Sequence, residues 1–423
     1  MRAAIRPGSA PAGILTAPPS KSMAHRAVLC AALAEGTSRL THLAHSQDID
    51  ATLGAAAAFG AAVRMEDGGA AITGVGIPRP ASGPVDCCES GSTLRFLIPL
   101  AALSGAPVTF TGRGRLMQRP QSVYQELFAR QGLRFEQAGD SLTVAGPLGS
   151  GELELAGDVS SQFVSGLLFA LPLLEGDSTL RLRPPVESRS YIQMTRAAQA
   201  AFGVESRWLD EHTLLVPGGQ RYTARDAAIE GDWSQAAFPA VLGALAGDVT
   251  VTGLDPDTLQ GDAVILEILR RCGAEIHPAA DGVRFVKSPL HGVEIDLADC
   301  PDLGPVLMAM GLLCQGKTVI RNAGRLRLKE SDRIAAMEQE LRKLGGNIES
   351  EGGTITIRES VLHPPAEPLC GHNDHRVVMS LTVLAAAAGL PAVIEGAEAV
   401  RKSWPDFFAG MRQLGLEVEE DAG

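Results

Sequence analysis

The sequence of 423 residues has no excess of basic side chains. It holds 37 Lys and Arg against 49 Asp and Glu, which gives a net charge of −12 at pH 7. Proteins that bind nucleic acid through its phosphates normally show a basic excess or a basic patch. The charge balance therefore argues against nucleic acid as the ligand.

Marks of secreted and membrane proteins are also missing. The seven cysteines are an odd number without a C-x-x-C pair, which argues against a disulfide framework and a zinc ribbon. None of the three asparagines begins an N-x-Ser/Thr acceptor, and the first twenty residues lack an apolar signal segment. The longest apolar run, 377–394, is interrupted by polar residues, glycine and proline. We expect a soluble, cytoplasmic protein with a packed core.

One pattern recurs about every seventy residues along the whole chain. It consists of an apolar, Ala/Leu-rich segment and then an amphipathic segment, and each ends at a glycine. The apolar segments close at Gly36, Gly105, Gly176, Gly247, Gly316 and Gly389. The amphipathic segments close at Gly60, Gly132, Gly203, Gly273, Gly345 and Gly415. Because two independent markers keep the same period, the sequence predicts six repeated units.

Each repeat has the composition of a β-α-β-α-β-β unit. A helix that is apolar on all sides is typical of a buried position, and an amphipathic helix is typical of the surface. Acidic or glycine-containing turns such as Asp67-Gly68-Gly69 end the first five units and predict β-hairpins. Six units exceed what one core can hold, so we predict an α/β protein of two domains with three units each, divided near Ala228.

The units differ most at the starts of their helices, where polar and charged residues gather. The predicted first helices begin at Lys21-Ser22 with Arg26, Ser90-Gly91-Ser92, Ser160-Ser161-Gln162, Asp302 and Asn373-Asp374-His375-Arg376. The predicted second helices begin at Arg119, Ser188 to Tyr191, Lys329 to Arg333, and Lys402. Ser and Asp at such positions are ordinary N-caps, but Lys and Arg do not complement the helix dipole. Cations at many helix starts in an acidic chain predict a ligand with several negative charges.

Two motifs that suggest other chemistry do not fit their context. Residues 311–318 match the P-loop pattern, but the repeat places a helix before them and a strand after them, the reverse of a P-loop. The pairs His42/His45 and His372/His375 lack a third metal ligand nearby in sequence. We therefore predict neither a metal site nor a cofactor.

Three motifs together resemble the 5-enolpyruvylshikimate-3-phosphate (EPSP) synthase family, also called 3-phosphoshikimate 1-carboxyvinyltransferases. They are residues 19–26 (PSKSMAHR), residues 328–333 (LKESDR) and residues 373–376 (NDHR). The resemblance covers the whole chain. It implies two domains, 15–228 and 1–14 with 229–423, whose helix N-termini face an interdomain cleft. It also implies that a short N-terminal strand belongs to the C-terminal domain.

The resemblance implies transfer of the enolpyruvyl group of phosphoenolpyruvate to the 5-hydroxyl of shikimate 3-phosphate, with release of phosphate, in the pathway to chorismate and the aromatic amino acids. Both substrates are polyanions. The residues implied for shikimate 3-phosphate are Lys21, Ser22, Arg26, Ser160, Ser161, Gln162, Ser188, Tyr191, Asp302 and Lys329. Those implied for phosphoenolpyruvate are Lys21, Gly91, Arg119, Gln162, Arg333, His375, Arg376 and Lys402.

Catalytic roles follow from the same resemblance. Asp302 is expected to act as the general base on the 5-hydroxyl, Glu330 as the acid that protonates the methylene carbon, and Lys21 as a cation that bridges both substrates. Two residues depart from the usual family pattern. Glu89 and Arg325 each stand where the family often has an asparagine, so we expect altered substrate affinities rather than a different reaction.

Two alternatives remain open at this point. The transferase that moves enolpyruvyl onto UDP-N-acetylglucosamine resembles this fold, but it uses a loop cysteine that residues 111–119 lack. A ring-shaped DNA clamp also has six α/β units, but its cations line the lengths of its helices. We expect small-molecule substrates, no nucleic-acid or membrane partner, and a monomer.

Overall fold

The computed structural model describes residues 1–421, and the chain divides into two compact units. The N-terminal unit comprises Pro19–Ile229, and the C-terminal unit comprises Met1–Pro18 together with the chain from Glu230 onward. The expected first boundary at residue 14 lies inside a strand, Ala12–Thr16, that pairs along its whole length within the C-terminal unit. The boundary therefore lies a few residues later than the sequence suggested.

Twelve α-helices lie in the described residues, six to each unit. Those of the N-terminal unit are α1 Lys21–Leu33, α2 Gln47–Ala58, α3 Gly91–Ala101, α4 Ser122–Gln131, α5 Ser161–Ala170 and α6 Arg189–Ala201. Those of the C-terminal unit are α7 Trp233–Ala246, α8 Ile265–Arg271, α9 Gly304–Gly311, α10 Arg333–Lys343, α11 His375–Ala387 and α12 Phe407–Gln413. No helix among residues 1–421 has both the length and the apolarity needed to cross a bilayer.

The strands form three sheets in each unit. The N-terminal unit contains β3 Ala34–Thr41, β4 Ala62–Glu66, β5 Gly69–Val75, β6 Val85–Asp86, β7 Val108–Thr111, β8 Arg134–Ala138, β9 Ser141–Ala145, β10 Gly151–Ala156, β11 Ser178–Arg183, β12 Arg207–Trp208, β13 Thr213–Val216, β14 Tyr222–Thr223 and β15 Ala227–Ala228. The C-terminal unit contains β1 Arg2–Arg6, β2 Ala12–Thr16, β16 Asp248–Thr252, β17 Glu275–Ala279, β18 Gly282–Val286, β19 Glu294–Asp296, β20 Lys317–Arg321, β21 Asn347–Glu351, β22 Thr354–Arg358, β23 Leu369–Cys370, β24 Ala392–Glu395 and β25 Glu417–Asp421.

Five of the six sheets combine a parallel strand pair with an antiparallel hairpin. In the sixth, β23-β24-β1-β25, the antiparallel partners β1 and β25 are separated by most of the chain. In the third repeat the order is β10-β11-β13-β12, with β10 and β11 parallel and β12 and β13 forming the hairpin. The same order recurs as β6-β7-β9-β8 and β19-β20-β22-β21. The predicted β-α-β-α-β-β unit is therefore confirmed.

Three sheets are completed by strands that are distant in sequence. β2 lies parallel to β16 at the edge of one sheet, and β1 lies between β24 and β25 in another. In the N-terminal unit, β14 and β15 both pair with β3. Because β1 buries Ala3 and Ile5, the first residues of the chain are part of the C-terminal core.

The first helix of each repeat is buried and the second lies on the surface. In α11 the exposed fraction is near zero on every side, as expected for a helix without a polar face. In α10 the apolar positions Ile334, Met337 and Leu341 are buried while Ala335 and Arg342 are exposed. Each unit thus surrounds its buried helices with sheets and outer helices, and each has its own core.

Candidate active site

The starts of α1, α3, α5 and α6 carry the predicted residues of the N-terminal unit. Ser20, Ser90 and Ser160 are N-caps whose side chains accept hydrogen bonds from backbone amides of α1, α3 and α5. Because these serines cap the helices, the side chains next to them are not needed as caps. Lys21 is one such neighbour, at the first position of α1.

The side chain of Lys21 is held by Asp48 of α2. Its Nζ lies 2.9 Å from Asp48 Oδ2, and both side chains are largely buried. The backbone carbonyl oxygen of Asp48 lies 3.2 Å from the hydroxyl oxygen of Thr52 and 3.5 Å from that of Thr93. Asp48 could not be recognised from the sequence, since an acid in the first turn of a helix, here together with Asp50, is indistinguishable from an ordinary dipole-complementing residue.

Arg26 is buried one turn further along α1. Its guanidinium donates to the Ser22 carbonyl at 2.7 Å, to the Tyr191 carbonyl at 2.9 Å and to Thr195 Oγ1 at 2.9 Å. It also lies 5.9 Å from the centre of the Tyr191 ring. Burial lowers the pKa of Arg26 to about 10, and it stays protonated at neutral pH. Arg26 thus ties Ser22 on α1 to Tyr191 on α6.

Gly91 and Arg119 lie against each other. A Cβ built on Gly91 would lie 2.7 Å from Nη1 and 2.9 Å from Cζ of Arg119. Any side chain at position 91 would therefore displace the Arg119 guanidinium, which is itself buried. At position 91, glycine is required by close approach rather than by its backbone angles.

Gln162 connects the starts of α3 and α5. Its amide donates to Ser92 Oγ at 3.0 Å, and its carbonyl oxygen accepts from Arg95 Nη1 at 2.8 Å. Ser161, beside Gln162, is buried. Gln162, whose backbone amide is capped by Ser160, therefore forms a polar patch with Ser92 and Arg95, and Ser161 is its neighbour in the chain.

Ser188 adopts a left-handed backbone conformation just before α6. Its φ and ψ angles are 55° and 44°, and the residue is buried. Non-glycine residues in this region are uncommon and are concentrated at binding sites. Tyr191 lies within the first turn of the same helix, so this strained start presents both predicted residues of α6.

In the C-terminal unit, Asp302 is surrounded by three cations. Its Oδ1 accepts from Lys329 Nζ at 3.3 Å and from Arg333 Nη1 at 3.0 Å, and its Oδ2 accepts from Arg376 Nη2 at 3.0 Å. Asp302 lies in a 3₁₀ turn, Pro301–Leu303, immediately before α9. In the described chain no side chain caps α9, so Asp302 is not the N-cap that its position suggested.

Arg333 joins three carboxylates. It contacts Glu330 at 2.8 Å and Asp302 at 3.0 Å, and its Nε lies 2.8 Å from Asp374 Oδ2. Although burial disfavours the charge, Asp374, Glu330 and Asp302 raise the pKa of Arg333 above its ordinary value. The two predicted acid–base residues, Asp302 and Glu330, therefore share one fixed arginine.

Lys329 is a less strongly held cation at the same place. Burial lowers its pKa, Arg333 lowers it further, and Asp302 and Glu330 act in the opposite direction. Lys329 contacts Asp302 at the longest of that residue's three ion-pair distances, 3.3 Å. An anionic substrate would compensate this depressed pKa by supplying negative charge.

The start of α11 contributes Arg376 and His375. Asp374 caps the helix, accepting from the Arg376 backbone amide at 2.9 Å. The Arg376 side chain donates to Asp302 and, at 2.8 Å, to Ser234 Oγ at the start of α7. Both His375 and Arg376 are buried. The starts of α7, α9, α10 and α11 thus converge within the C-terminal unit.

Lys402 reaches this region from a different kind of element. Its Nζ donates to the Asn373 carbonyl at 2.6 Å. The structure corrects two expectations here. Lys402 ends a 3₁₀ helix, Ala397–Lys402, and Arg119 follows a 3₁₀ turn, Leu116–Gln118, so neither begins an α-helix. Short 3₁₀ segments carry no strong sequence signal, and the apolar residues around both positions suggested regular helix starts.

Two other sequence interpretations can be compared with the structure. The P-loop-like segment 311–318 connects the end of α9 to β20, a helix-to-strand connection as expected. Asp374 was visible in the NDHR motif, but its ion pair with Arg333 could not be seen there, because the two residues are distant in sequence.

Comparison with solved structures defines the class of protein. The chain superposes on EPSP synthase from Acinetobacter baumannii with a TM-score of 0.80 and 25% identity, covering 99% of this chain and 100% of that one. It also superposes on the enolpyruvyl transferase NikO from Streptomyces tendae with a TM-score of 0.79, 16% identity and 99% and 98% coverage. Two units of three β-α-β-α-β-β repeats with these converging helix starts are the fold of enolpyruvyl transferases.

Sequence comparison then places the chain within that class. Residues 5–411 match the family model of EPSP synthase (3-phosphoshikimate 1-carboxyvinyltransferase), and the chain belongs to this family. A 3-phosphoshikimate 1-carboxyvinyltransferase of Clostridium kluyveri is 42% identical over 96% of both chains. The one of Clostridium novyi is 38% identical, again over 96% of both. The UDP-N-acetylglucosamine transferase and DNA-clamp alternatives are not favoured by these matches.

Proposed function

We infer that this chain is a transferase that moves the enolpyruvyl group of phosphoenolpyruvate to the 5-hydroxyl of shikimate 3-phosphate and releases phosphate. Family membership over residues 5–411 supports this reaction and its place in aromatic amino-acid biosynthesis. The observation that carries the mechanism is the group formed by Asp302 and its three cations. A carboxylate base beside several anion-binding groups suits a reaction between two anionic substrates.

We propose that shikimate 3-phosphate is held mainly by the N-terminal unit. Lys21 and the polar patch around Ser161 and Gln162 supply a cation and several hydrogen-bond donors. Arg26 is already committed to three protein oxygens, so in this proposal it orders Ser22 and Tyr191 and adds positive potential. Ser188 and Tyr191 complete the set from α6, and Asp302 and Lys329 complete it from the C-terminal unit.

We propose that phosphoenolpyruvate is held by arginines and lysines of known local geometry. In the N-terminal unit these are Arg119 beside Gly91, with Lys21 and Gln162. In the C-terminal unit they are Arg333, Arg376 and Lys402, with His375 beside Arg376. Arginine can pair with a carboxylate or a phosphate through two parallel hydrogen bonds, which fixes orientation as well as charge.

The proposed chemistry divides between the two carboxyl groups on Arg333. Glu330 donates a proton to C3 of phosphoenolpyruvate, which makes C2 electrophilic. Asp302 removes the proton of the 5-hydroxyl as its oxygen bonds to C2, giving a tetrahedral intermediate. The two roles then reverse. Glu330 takes back a proton from C3 as the C2–C3 double bond re-forms, and Asp302 gives its proton to the phosphate as the C2–O bond breaks and phosphate leaves. Arg333 holds both groups in place, and positioned acid–base groups each contribute about 10²–10⁴-fold.

Phosphate release tests the reaction class. The chain should release phosphate from phosphoenolpyruvate only when shikimate 3-phosphate is also present, and UDP-N-acetylglucosamine should not replace it. Phosphate release from phosphoenolpyruvate alone, or equal release with UDP-N-acetylglucosamine, would contradict the proposal.

A further inference from the structure

A buried carboxylate lies on α10 away from the residues assigned above. The Glu340 side chain has no exposed surface. Its Oε2 accepts from the Cys370 backbone amide at 2.8 Å and lies 2.9 Å from Lys343 Nζ, and its Oε1 lies 2.9 Å from His372 Nε2. A buried charge is tolerated only when it is paired and hydrogen-bonded, and Glu340 is both. Of its three partners, Cys370 ends β23 and His372 lies in the segment that connects β23 to α11.

That connection is strained. His372 and Asn373 both have left-handed backbone conformations, with φ angles of 49° and 52°. Two successive non-glycine residues in this region persist only where neighbouring structure holds them. Gly371, just before them, is packed so closely that a Cβ would lie 2.6 Å from Val378 Cγ2. Glu340 accepts hydrogen bonds from residues 370 and 372 and so holds both sides of Gly371. The Cys370 thiol adds a contact, since its Sγ lies 3.3 Å from the His372 amide nitrogen.

The 371–373 turn also fixes two of the residues proposed to bind phosphoenolpyruvate, Lys402 and Arg376. The carbonyl of Asn373 accepts from Lys402 Nζ at 2.6 Å, so the direction of that carbonyl sets the position of the ammonium group. The next residue, Asp374, caps α11 through the amide of Arg376. A change in the backbone at 372–373 would therefore move Lys402 directly and the start of α11 with it.

We propose that Glu340 and His372 are positioning residues for phosphoenolpyruvate, acting by holding the strained 371–373 turn that orients Lys402. This inference rests on the proposed function, in which Lys402 and Arg376 bind phosphoenolpyruvate. His372 donates through Nε2 to the carboxylate, and Lys343 completes the charge balance on the other oxygen. Neither Glu340 nor His372 needs to touch a substrate for this role.

The experiment compares steady-state kinetics of the full chain with His372→Ala, His372→Gln and Glu340→Ala. His372→Ala removes the donor and should raise KM for phosphoenolpyruvate about tenfold, with kcat and KM for shikimate 3-phosphate within about threefold of the parent values. His372→Gln places an amide donor close to the Nε2 position and should bring KM for phosphoenolpyruvate most of the way back to the parent value. Glu340→Ala should give the same selective rise.

Glu338→Gln is the matched control. Glu338 lies on the same helix and is 3.6 Å from Arg342, an exposed partner away from the turn, so its KM for phosphoenolpyruvate should not change. If Glu340→Ala does not fold, the comparison of His372→Ala with His372→Gln decides the question, since the His372 side chain is partly exposed and its replacement does not empty a core position. An unchanged KM for phosphoenolpyruvate in His372→Ala, or an equal rise for both substrates that Gln does not reverse, would overturn the positioning role. Failure of the parent chain to require both substrates would instead overturn the proposed function.

Discussion

At the scale of single residues, Asp302 is the group on which the proposed mechanism depends most. Its carboxylate pairs with three cations and does not cap a helix, so its contacts belong to the site rather than to local helix structure. Asp302→Ala should lower turnover at least about a hundredfold. It should weaken binding of shikimate 3-phosphate, measured by calorimetry, far less, because most of the proposed contacts to that substrate come from the N-terminal unit. Asp281→Ala, in an exposed hairpin turn, is the control and should behave like the parent. Turnover retained in Asp302→Ala would remove this residue from the mechanism.

Gly91 offers a second test at this scale. Because an added methyl would lie 2.7 Å from Arg119 Nη1, Gly91→Ala should push the guanidinium aside and raise KM for phosphoenolpyruvate several-fold to about a hundredfold, at the 1–3 kcal/mol typical of overpacking. Gly54→Ala is the matched control, since nothing lies within 4 Å of a Cβ there. Equal KM values in both variants would show that Arg119 does not bind this substrate.

Some contacts of single residues can be predicted from the sequence and others cannot. The N-cap role of Ser20 or Ser160 can be predicted from local pattern alone, because the partners lie within the same helix turn. The ion pair between Asp374 and Arg333 depends on how α10 and α11 pack, which no short-range pattern contains. The Lys21–Asp48 pair is another contact of this kind.

At the scale of elements, a chain of buried hydrogen bonds joins α1, α2 and α3. His25 Nδ1 lies 2.7 Å from Thr52 Oγ1, which lies 2.7 Å from Thr93 Oγ1, which donates to Ser90 Oγ at 2.7 Å. Burial, followed by the charges of Lys21 and Arg26, lowers the pKa of His25 well below its ordinary value of 6.5. The imidazole is therefore neutral in the folded protein at neutral pH.

This depressed pKa predicts a pH dependence of stability. Below pH 6.5 the unfolded state binds a proton at His25 that the folded state refuses, so the unfolding free energy falls as pH falls, until the lower folded pKa is reached. Above pH 6.5, the unfolding free energies of the parent and His25→Asn, measured with denaturant, should change with pH in the same way. Below it, the parent should lose stability more steeply, by up to about 1.4 kcal/mol per pH unit. Identical slopes would show that His25 is not buried as a neutral group.

The elements themselves were largely predictable. Periodicity identified the buried and surface helices, because a helix with no polar face can only be stable in a core. The hairpin turns followed from their glycine and acidic residues. The 3₁₀ segments that carry Lys402 and precede Arg119 were not predictable, since their form is imposed by packing rather than by propensity.

At the scale of the whole molecule, the first eighteen residues complete the C-terminal unit. β1 lies between β24 and β25, and β2 pairs with β16 at a sheet edge. Loss of both would divide one sheet, uncover the edge of another and expose the core beside Ala3 and Ile5. No repeat period could have placed them, because they are separated from their partners by the entire N-terminal unit. The family resemblance implied that one N-terminal strand belongs to the C-terminal domain, and the structure shows two such strands, β1 and β2.

This arrangement predicts different behaviour for two fragments. Residues 19–229 contain their own core and should fold alone, with a cooperative thermal transition followed by circular dichroism. Residues 230–423 lack β1 and β2 and should not show such a transition. The matched control joins residues 1–18 to 230–423 through a flexible linker and should recover it. A cooperative transition in 230–423 without the first eighteen residues would contradict this account of the sheets.

The central claim is that an enolpyruvyl group, and not a phosphoryl group, is transferred. It is tested most directly by following ¹⁸O placed in the 5-hydroxyl of shikimate 3-phosphate. Since that oxygen attacks C2 and the C2–O bond to phosphate breaks, mass spectrometry should find all of the label in the ether oxygen of the product and none in the released phosphate. Phosphoryl transfer would instead release pyruvate and place the label in a phosphate ester of the product, and that result would contradict the account.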